Sequence, residues 1–380
     1  MSYRLISTDD HMQEPRDLWT TRMSRAKWGD RIPEVRRFDD ESDGWFIDGK
    51  PDQRHGGPYL GSVHGVREGR VNARTWEEVP EITYVASERV KAMDRDGVDV
   101  HTFFANVGGI AGNTFSKPDL DEDFRLECIR AYNDFQLDEF HKPYPNRFIT
   151  LAQVPLWDAE AAVAEAERMA KHGVPGITFA FPQQFGYPQI SDRHWDPLWA
   201  FAQEARLSIN FHIGSGGSMG LAGGKPSEAP PSYFLAERSV QAVSANVQVM
   251  ATILFAGFLE RFPELKIVSS ESGVGWVPYL LEVADHQWDH ANCRADGFDV
   301  PPSELFKRQC YVNFWFESAG IKMMREHIGL DNVMFGSDFP HPTGTWPNTW
   351  KYIERSVEGL TDEEKDKVLW GNAAKLFHLV

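Results

Sequence analysis

Four short apolar runs in the sequence each end beside side chains that could bind a metal ion or move a proton. The first is followed by two such residues, Asp9 and His11, which project to the same side of an extended chain, whereas Asp10 projects to the other. Imidazoles and carboxylates form a mixed nitrogen and oxygen ligand set that suits Zn²⁺, Mn²⁺ or Fe²⁺, and the lack of a thiolate argues against a Cys-based zinc site. The full set is Asp9, His11, His212, Glu271 and Asp338.

These side chains converge only if the apolar runs are parallel strands of one sheet. From about residue 87 onward, short β-branched runs alternate with helical patterns, which is typical of repeated βα units. Eight such units predict a TIM (β/α)8 barrel, whose active face lies at the C-terminal strand ends. The predicted strands are Arg4–Thr8, Val98–Phe104, Phe148–Val154, Gly176–Phe181, Leu207–His212, Leu265–Ser270, Cys310–Trp315 and Val333–Gly336.

A long irregular segment, residues 12–80, separates the first strand from the others. It is rich in Gly and charged residues, and a small hairpin is expected near Trp45–Ile47. Because it directly follows Asp9 and His11, we predict an N-terminal insertion that covers the strand ends of a single domain, 1–380. The predicted helices are Ser87–Asp96, Asp119–His141, Asp158–His172, Asp196–Ala205, Leu235–Phe262 with a possible break, Val277–Asn292, Ala319–Ile328 and further turns from Thr349.

Composition excludes several classes of function. The 39 basic and 56 acidic residues give a net charge of −17, which disfavours binding to nucleic acid or to an anionic membrane. The longest apolar stretch, Val249–Leu259, is too short to span a bilayer. Three widely spaced cysteines indicate neither a disulfide framework nor a zinc ribbon. No signal peptide precedes the first strand, so we expect a cytoplasmic protein.

Two other patterns imitate functional motifs. His286 and His290 stand four apart on a predicted helix, but no Glu follows His286, so the metalloprotease pattern fails and a solvated helix face is expected. The Gly-rich stretch 217–225 ends in Lys-Pro instead of Lys-Ser or Lys-Thr, so it is no P-loop and is interpreted as an active-site loop. Cys128 and Cys310 lie in apolar surroundings that predict burial.

Six short motifs are spread over nearly the whole chain. They are Asp9–Pro15, Asp196–Trp199, Phe211–Gly214, Phe262–Lys266, Glu271–Trp276 and Gly336–His341. In type and order these motifs resemble the amidohydrolase superfamily, in the amidohydrolase-2 branch that includes aminocarboxymuconate semialdehyde decarboxylase and the resorcylate-type decarboxylases. That resemblance implies a metal held by Asp9, His11, His212 and Asp338.

Two departures from the family pattern bear on the reaction. Many members carry His-x-His at the first strand, and the acidic Asp9 resembles the resorcylate and carboxyvanillate decarboxylases. Those decarboxylases carry a histidine after the sixth strand, where this chain has Glu271. The bridging lysine of dinuclear members is absent from Gly176–Phe181, so we expect one divalent ion, with Zn²⁺ as the first choice and Mn²⁺ or Fe²⁺ as alternatives.

The resemblance leaves three functions open. We favour a metal-dependent, non-oxidative decarboxylase of a small aromatic or unsaturated carboxylic acid, with Asp338 as proton donor to the ring carbon. The alternatives are a hydrolase of an amide, lactone or ring-cleavage product that uses activated water, and a ligand-binding barrel without catalysis. Glu271 is predicted to support the site or transfer a proton, and His341 to bond a ligand or the substrate. The expected partners are a small-molecule substrate and a second copy of the chain in a homodimer.

Overall fold

Eight parallel strands close into a barrel in the computed structural model, which describes residues 4–54, 57–61, 73–216 and 231–379. The pairing closes because the first strand bonds to both the second and the eighth, with Ser7 opposite His101 and Phe335. The predicted TIM barrel is therefore confirmed. The barrel strands are β1 (Ile6–Ser7), β2 (Val100–Ala105), β3 (Phe148–Thr150, continued by Ala152–Gln153), β4 (Gly176–Thr178), β5 (Ser208–Phe211), β6 (Lys266–Ser269), β7 (Cys310–Phe314) and β8 (Val333–Phe335).

Helices surround the strands close to the predicted positions. Asp121 and Asp158 cap two of them by accepting N–H groups of the first turn, at Phe124 and at Glu160 and Ala161. No helix within the described ranges has both the length and the apolar character needed to cross a bilayer. The helices around the barrel are Ala86–Asp96, Glu122–Phe135 with a π-helical turn Gln136–His141, Ala159–Ala170, Asp196–Glu204, Pro231–Phe255, Phe258–Arg261, Val277–His290, Pro302–Gln309, Ala319–His327, Thr349–Ser356, Asp362–Asp366 with a π-helical turn Lys367–Gly371, and Asn372–Leu376.

Two helix predictions needed correction. The predicted helix 235–262 begins earlier, at Pro231, and breaks at Gly257, whose φ of 76° does not continue a right-handed helix. Pro302–Gln309 forms a helix that the sequence interpretation missed, because its apolar residues are few and a proline pair precedes them. A proline in the first turn of a helix forfeits no hydrogen bond, so Pro302 starts this helix without cost.

Apolar side chains pack both inside the barrel and between strands and helices. The inner cluster contains Tyr311 of β7, and the outer cluster contains its neighbours Val312 and Phe314, as the two-residue period of a strand requires. The inner cluster comprises Ile6, Val100, Phe104, Ile149, Leu151, Val268, Tyr311 and Met334, together with Ala373, Ala374, Leu376 and Phe377 near the C-terminus. It fills the barrel, so polar chemistry is confined to the strand ends.

The described part of segment 12–80 forms small elements that pack beside the barrel. Its antiparallel sheet confirms the hairpin expected near Trp45. The Trp19 indole N–H donates to the carbonyl of Cys128 at 3.0 Å, which fixes the segment to a barrel helix. That the segment covers the strand ends stays a prediction, and residues 55–56 and 62–72 lie outside the described ranges. The elements are Leu18–Arg22, Arg25–Trp28, Glu34–Arg37, Asp43–Ile47, Lys50–Pro51, Gln53–Arg54 and Gly57–Pro58, with 3-10 turns Gly29–Arg31 and Trp76–Glu78. A further 3-10 turn, Glu81–Thr83, directly follows the segment.

The structure also places the residues of the two imitating motifs. His286 and His290 are both exposed on their helix, with ring centroids 6.0 Å apart, which agrees with a solvated face. Cys128 and Cys310 are buried and unbridged, as predicted. The Gly-rich stretch 217–225 lies outside the described residues.

Candidate metal centre

The five residues singled out in the sequence all lie at the C-terminal end of the barrel. Asp9 and His11 follow β1, and His11 lies in a short strand, His11–Met12, that pairs in parallel with the end of β2. The other three follow β5, β6 and β8, and all five side chains are buried. We call Asp9, His11, His212, Glu271 and Asp338 the candidate metal cluster.

Distances within the cluster are those of groups that share one small space. The Nε2 atom of His212 lies 3.2 Å from Asp9 Oδ1 and 3.0 Å from Glu271 Oε2. The Nε2 atom of His11 lies 3.5 Å from Asp338 Oδ1 and 3.9 Å from Glu271 Oε2. Ligand atoms of two overlapping groups, one with Asp9, His11 and His212 and one with His11, Glu271, Asp338 and His341, lie within 4.8 Å of one another.

Backbone conformation directs the two carboxylates that follow β6 and β8. Glu271 and Asp338 both have positive φ, 53° and 58°, which is uncommon for residues other than glycine. The Asn313 Oδ1 atom accepts the N–H of Glu271 at 3.1 Å, and the carbonyl of Asp9 accepts the N–H of Asp338 at 2.7 Å. These hydrogen bonds hold a conformation that sequence periodicity does not predict.

A glycine allows β1 and β8 to approach at the cluster. A Cβ atom on Gly336 would lie 2.6 Å from the Cβ of Asp9, which is closer than real Cβ contacts. Glycine at this position therefore lets Asp9 and Asp338 converge from neighbouring strands.

Several polar atoms of the cluster are buried and have no hydrogen-bond partner among the residues that the structure describes. Such atoms are rare in folded proteins, since each loses its hydration without compensation. Their convergence fits a bound cation, which would satisfy several nitrogen and oxygen lone pairs at once. They are Asp9 Oδ1, His11 Nδ1 and Nε2, His212 Nε2 and Glu271 Oε2.

The charges of the metal-free cluster are in mutual conflict. Burial lowers the pKa of His212, but the carboxylates of Asp9 and Glu271 outweigh burial and raise it to about 10. Burial, reinforced by Asp338, raises the pKa of Glu271 to about 7 despite the opposing effect of His212. Burial, with the nearby imidazoles, holds the pKa of His11 well below its usual value. A divalent cation would favour the charged carboxylates and the neutral imidazoles together.

His341 lies beside the cluster on the short segment that follows Asp338. Its Nδ1 atom is 2.7 Å from Asp338 Oδ1, and its ring lies against that of His11 at a tilt of 34°, with centroids 3.9 Å apart. Thr343 donates its hydroxyl to the other Asp338 oxygen at 2.8 Å. Burial lowers the pKa of His341, but Asp338 outweighs it and the net shift is upward. The imidazole is therefore placed to give a proton to that carboxylate.

Behind the cluster lies a second group of buried polar residues that the sequence interpretation largely missed. The Asp10 carboxylate accepts hydrogen bonds from Ser7, from Ser337 and from the N–H of Thr102. Arg89 donates to the His11 carbonyl at 2.9 Å. The alternation of Asp9, Asp10 and His11 predicted that Asp10 faces away, but no spacing pointed to Arg89.

We call Asp10, Arg89, His101, Ser7 and Ser337 the Asp10 network. Arg89 donates to His101 at 3.0 Å, and its guanidinium lies 3.9 Å from the ring centroid of Phe339. Burial raises the pKa of Asp10 well above its usual value, and it lowers that of Arg89 to about 9, although the two charges favour each other.

Glu317, which follows β7, lies outside the cluster. Its carboxylate accepts the N–H of Val274 at 2.6 Å and that of Trp315 at 3.2 Å. A Cβ on Gly273 would lie 2.6 Å from the Glu317 carboxylate. Glu317 therefore secures the turn after Glu271.

Fold and site together define a TIM-barrel protein with a candidate divalent-metal centre at the C-terminal strand ends. A family model described as amidohydrolase matches residues 81–379. The chain therefore belongs to the amidohydrolase family of metal-dependent enzymes, in the branch that its motifs indicated.

Individual relatives are more distant. The gamma-resorcylate decarboxylase of Polaromonas sp. (strain JS666 / ATCC BAA-500) is 25% identical over 343 residues, 82% of this chain and 93% of that protein. The solved structure of amidohydrolase map2389c from Mycobacterium avium subsp. paratuberculosis K-10 has a TM-score of 0.77 at 21% identity, covering 99% of this chain and all of that one. The dihydroxybenzoic acid decarboxylase of Polaromonas sp. JS666, solved with manganese and 2-nitroresorcinol, has a TM-score of 0.63 at 19% identity, covering 100% and 98%. These structures share the fold.

Proposed function

We propose that this protein is a metal-dependent, non-oxidative decarboxylase of a small aromatic carboxylic acid. The observation that carries the proposal is the convergence of unpartnered, buried nitrogen and oxygen atoms at the barrel's C-terminal end. Support comes from the similarity to gamma-resorcylate decarboxylase, which extends over 82% of the chain. It also comes from the shared fold of a decarboxylase that was solved with manganese.

We assign the metal-holding role to Asp9, His11, His212 and Asp338, with one ion per chain. Glu271 stands close enough to His212 to add a further oxygen or to orient that imidazole. Bound there, a divalent ion would chelate the substrate carboxylate with an adjacent hydroxyl and withdraw electrons from the ring. The ligand set admits Zn²⁺, our first expectation, and Mn²⁺, the ion in the Polaromonas structure.

The residues around Asp338 supply the proton that replaces carbon dioxide. The bond between the ring and the carboxylate breaks, its electron pair stays on the ring carbon, and that carbon takes a proton from Asp338. His341, 2.7 Å from Asp338 Oδ1, returns a proton to the carboxylate. Thr343 holds the other oxygen, which fixes the direction of Asp338.

Hydrolysis is the second candidate, favoured by Glu271. A carboxylate at this position, with a pKa raised to about 7, could accept a proton from water near neutral pH. The two reactions are distinguished by their product, since only decarboxylation releases carbon dioxide.

The test begins with metal-loaded protein and a panel of aromatic acids that carry a hydroxyl beside the carboxylate. Carbon dioxide release is followed with Asp338→Asn as the key variant. Asn keeps a coordinating oxygen but carries no proton, so turnover should fall roughly a hundredfold or more while metal is retained. Normal turnover by a metal-bound Asp338→Asn variant would refute the proton role. No carbon dioxide from these acids, together with hydrolysis of members of a second panel of amides and lactones, would support the second candidate.

Self-association and location complete the proposal. A homodimer in the cytoplasm remains our expectation, and light scattering on the purified protein would give the mass of the particle directly. Exposed apolar side chains that a second copy could cover include Tyr233, Val240 and Tyr279, each at least 70% exposed.

A further inference from the structure

Inward-facing side chains of a TIM barrel form layers, each drawn from alternate strands. Gln153 ends β3, and its side chain follows Ile149 and Leu151, which both belong to the inner cluster. Trp315 directly follows β7, where Tyr311 belongs to that same cluster. Because strand residues alternate, Gln153 and Trp315 also face the inside of the barrel.

The strand register gives the height of both residues. When paired residues are followed from Gln153 through all eight strands, the path comes back to β3 at position 145, eight residues before the starting point. Residues at the same height along the barrel axis are therefore not register partners. For each strand that is passed, the residue at equal height lies one position further toward the C-terminus than the register partner. The register passes through Gln153, Thr178, Asn210, Val268 and Tyr311.

This offset places Gln153 and Trp315 in the layer of the candidate metal cluster. On β5, two strands from Gln153, the residue at equal height lies two positions after the register partner Asn210, and this residue is His212. On β7, four strands from Gln153, the residue at equal height lies four positions after the register partner Tyr311, and this residue is Trp315. Strands β3 and β7 are diametrically opposed in an eight-stranded barrel. The two side chains therefore form opposite walls of the space beside His212.

Each wall presents a polar atom without a partner. Trp315 is 5% exposed, and its indole N–H donates to no acceptor in the described structure. Gln153 is 1% exposed, and its amide nitrogen donates to the Gly109 carbonyl at 3.3 Å. Its Oε1 atom accepts no hydrogen bond from any described residue. One wall thus offers a free donor and the other a free acceptor.

We propose that Trp315 and Gln153 are specificity-determining residues, which together recognise oxygen substituents on the two edges of the substrate ring. The Trp315 N–H donates to an oxygen on one edge, and Gln153 Oε1 accepts a hydroxyl proton on the other. This inference rests on the proposed decarboxylase function.

The test compares 2,6-dihydroxybenzoate with 2-hydroxy-6-methylbenzoate, in which a methyl group replaces one hydroxyl at similar size. In the wild type, the ratio of kcat/KM for the two acids should favour the dihydroxy acid roughly tenfold or more, because the methyl group leaves a buried polar atom unpaired. In the double variant Trp315→Phe/Gln153→Met, the ratio should fall toward one. A wild-type ratio near one, or an unchanged ratio in a folded double variant, overturns the proposal.

Trp199→Phe is the matched control. Trp199 is also a buried tryptophan whose indole N–H lacks a partner, but it packs in the outer cluster, stacked on Phe258 at 5.1 Å. The Trp199→Phe variant should show the same ratio of kcat/KM for the two acids as the wild type. A loss of selectivity as large as that of the double variant would refute a specific role for Trp315. If the double variant does not fold, Gln153→Met alone and the wild-type ratio decide.

Calorimetric binding of both acids to metal-loaded protein separates this inference from the proposed function. If neither acid releases carbon dioxide, the decarboxylase proposal fails for this panel. The ratio of the two dissociation constants then still tests the proposed contacts of Trp315 and Gln153. The double variant should lose the preference for binding the dihydroxy acid.

Discussion

Asp9 and Asp10 are neighbours in the chain and opposites in the structure. Asp9 belongs to the candidate metal cluster, where buried nitrogen and oxygen atoms lack partners. Asp10 belongs to the Asp10 network, where Ser7, Ser337 and the N–H of Thr102 satisfy its carboxylate. One side of the segment after β1 therefore presents atoms that could bind something further, whereas on the other side the Asp10 carboxylate already has its donors.

The difference separates two uses of buried charge. A satisfied network holds backbone in place, as Arg89 does when it donates to the His11 carbonyl. An unsatisfied cluster costs free energy in the metal-free chain and regains it when a cation binds. Burial alone does not distinguish these roles, whereas the presence or absence of hydrogen-bond partners does.

Of the tests of this comparison, removal of the metal should change the stability of the protein most. A ligand that binds only the folded state at a thousandfold its Kd adds about 4 kcal/mol to the free energy of unfolding. Thermal unfolding with and without a chelator should therefore show a clear drop in Tm on chelation. His212→Ala, which removes one proposed ligand, should unfold at the same Tm with or without chelator. A chelator-independent wild type would contradict the metal cluster.

Truncation of the two aspartates should give the next largest effect, measured on metal-free protein. Asp10→Ala leaves three donors without their acceptor and Arg89 without the negative charge that favours it, and it should cost roughly 3 kcal/mol in the free energy of unfolding. Asp9→Ala is the matched change one residue away and should cost at most about 1 kcal/mol, since its carboxylate is poorly satisfied. Denaturant titration of both variants checks the order. Equal losses would remove the distinction between the two sides of β1.

The fold was largely predictable from the sequence, because eight β-branched runs separated by helical periods leave few alternatives to a barrel. Pro302–Gln309 was missed because a short helix with few apolar positions has a weak periodic signal. A break in the helix 235–262 was predicted as possible but without a position, and the structure has it at Gly257. The early start at Pro231 was not predicted, since proline marks loops as often as first turns.

The site was predictable where chemistry follows strand ends and unpredictable where it depends on tertiary contacts. The cluster residues were chosen by type and position, and the structure brings all five together. Arg89, on a helix far along the chain, gave no signal because a buried arginine is chosen by its tertiary partners. Trp315 was predicted only as the end of the seventh strand, and the register of the barrel was needed to place it at the height of His212.

Proton release should reveal the conflict of charges inside the cluster. Below its pKa of about 10, His212 is protonated in the metal-free chain, and it must lose that proton to bind a metal. Glu271, with a pKa of about 7, adds a second proton only at lower pH. Metal binding should release about one proton at pH 8 and nearly two at pH 6, and affinity should rise with pH. Calorimetry in buffers of different ionisation enthalpy counts these protons, and zero release at pH 8 would mean that His212 is already neutral.

The smallest expected effect is on the reactivity of the cysteines. Their reactivity reports whether the apolar packing around Cys128 and Cys310 depends on the metal. Burial raises the pKa of Cys310 to about 12 and that of Cys128 well above its usual value, so neither forms the reactive thiolate near pH 8. Cys293 is only partly buried and should react. Titration with an aromatic disulfide reagent should therefore find one fast thiol per chain in native protein and three after unfolding. Chelation should leave that native count at one, because the packing around Cys128 and Cys310 does not include the cluster. A count that rises to three on chelation would show that the cluster and its scaffold are a single cooperative unit.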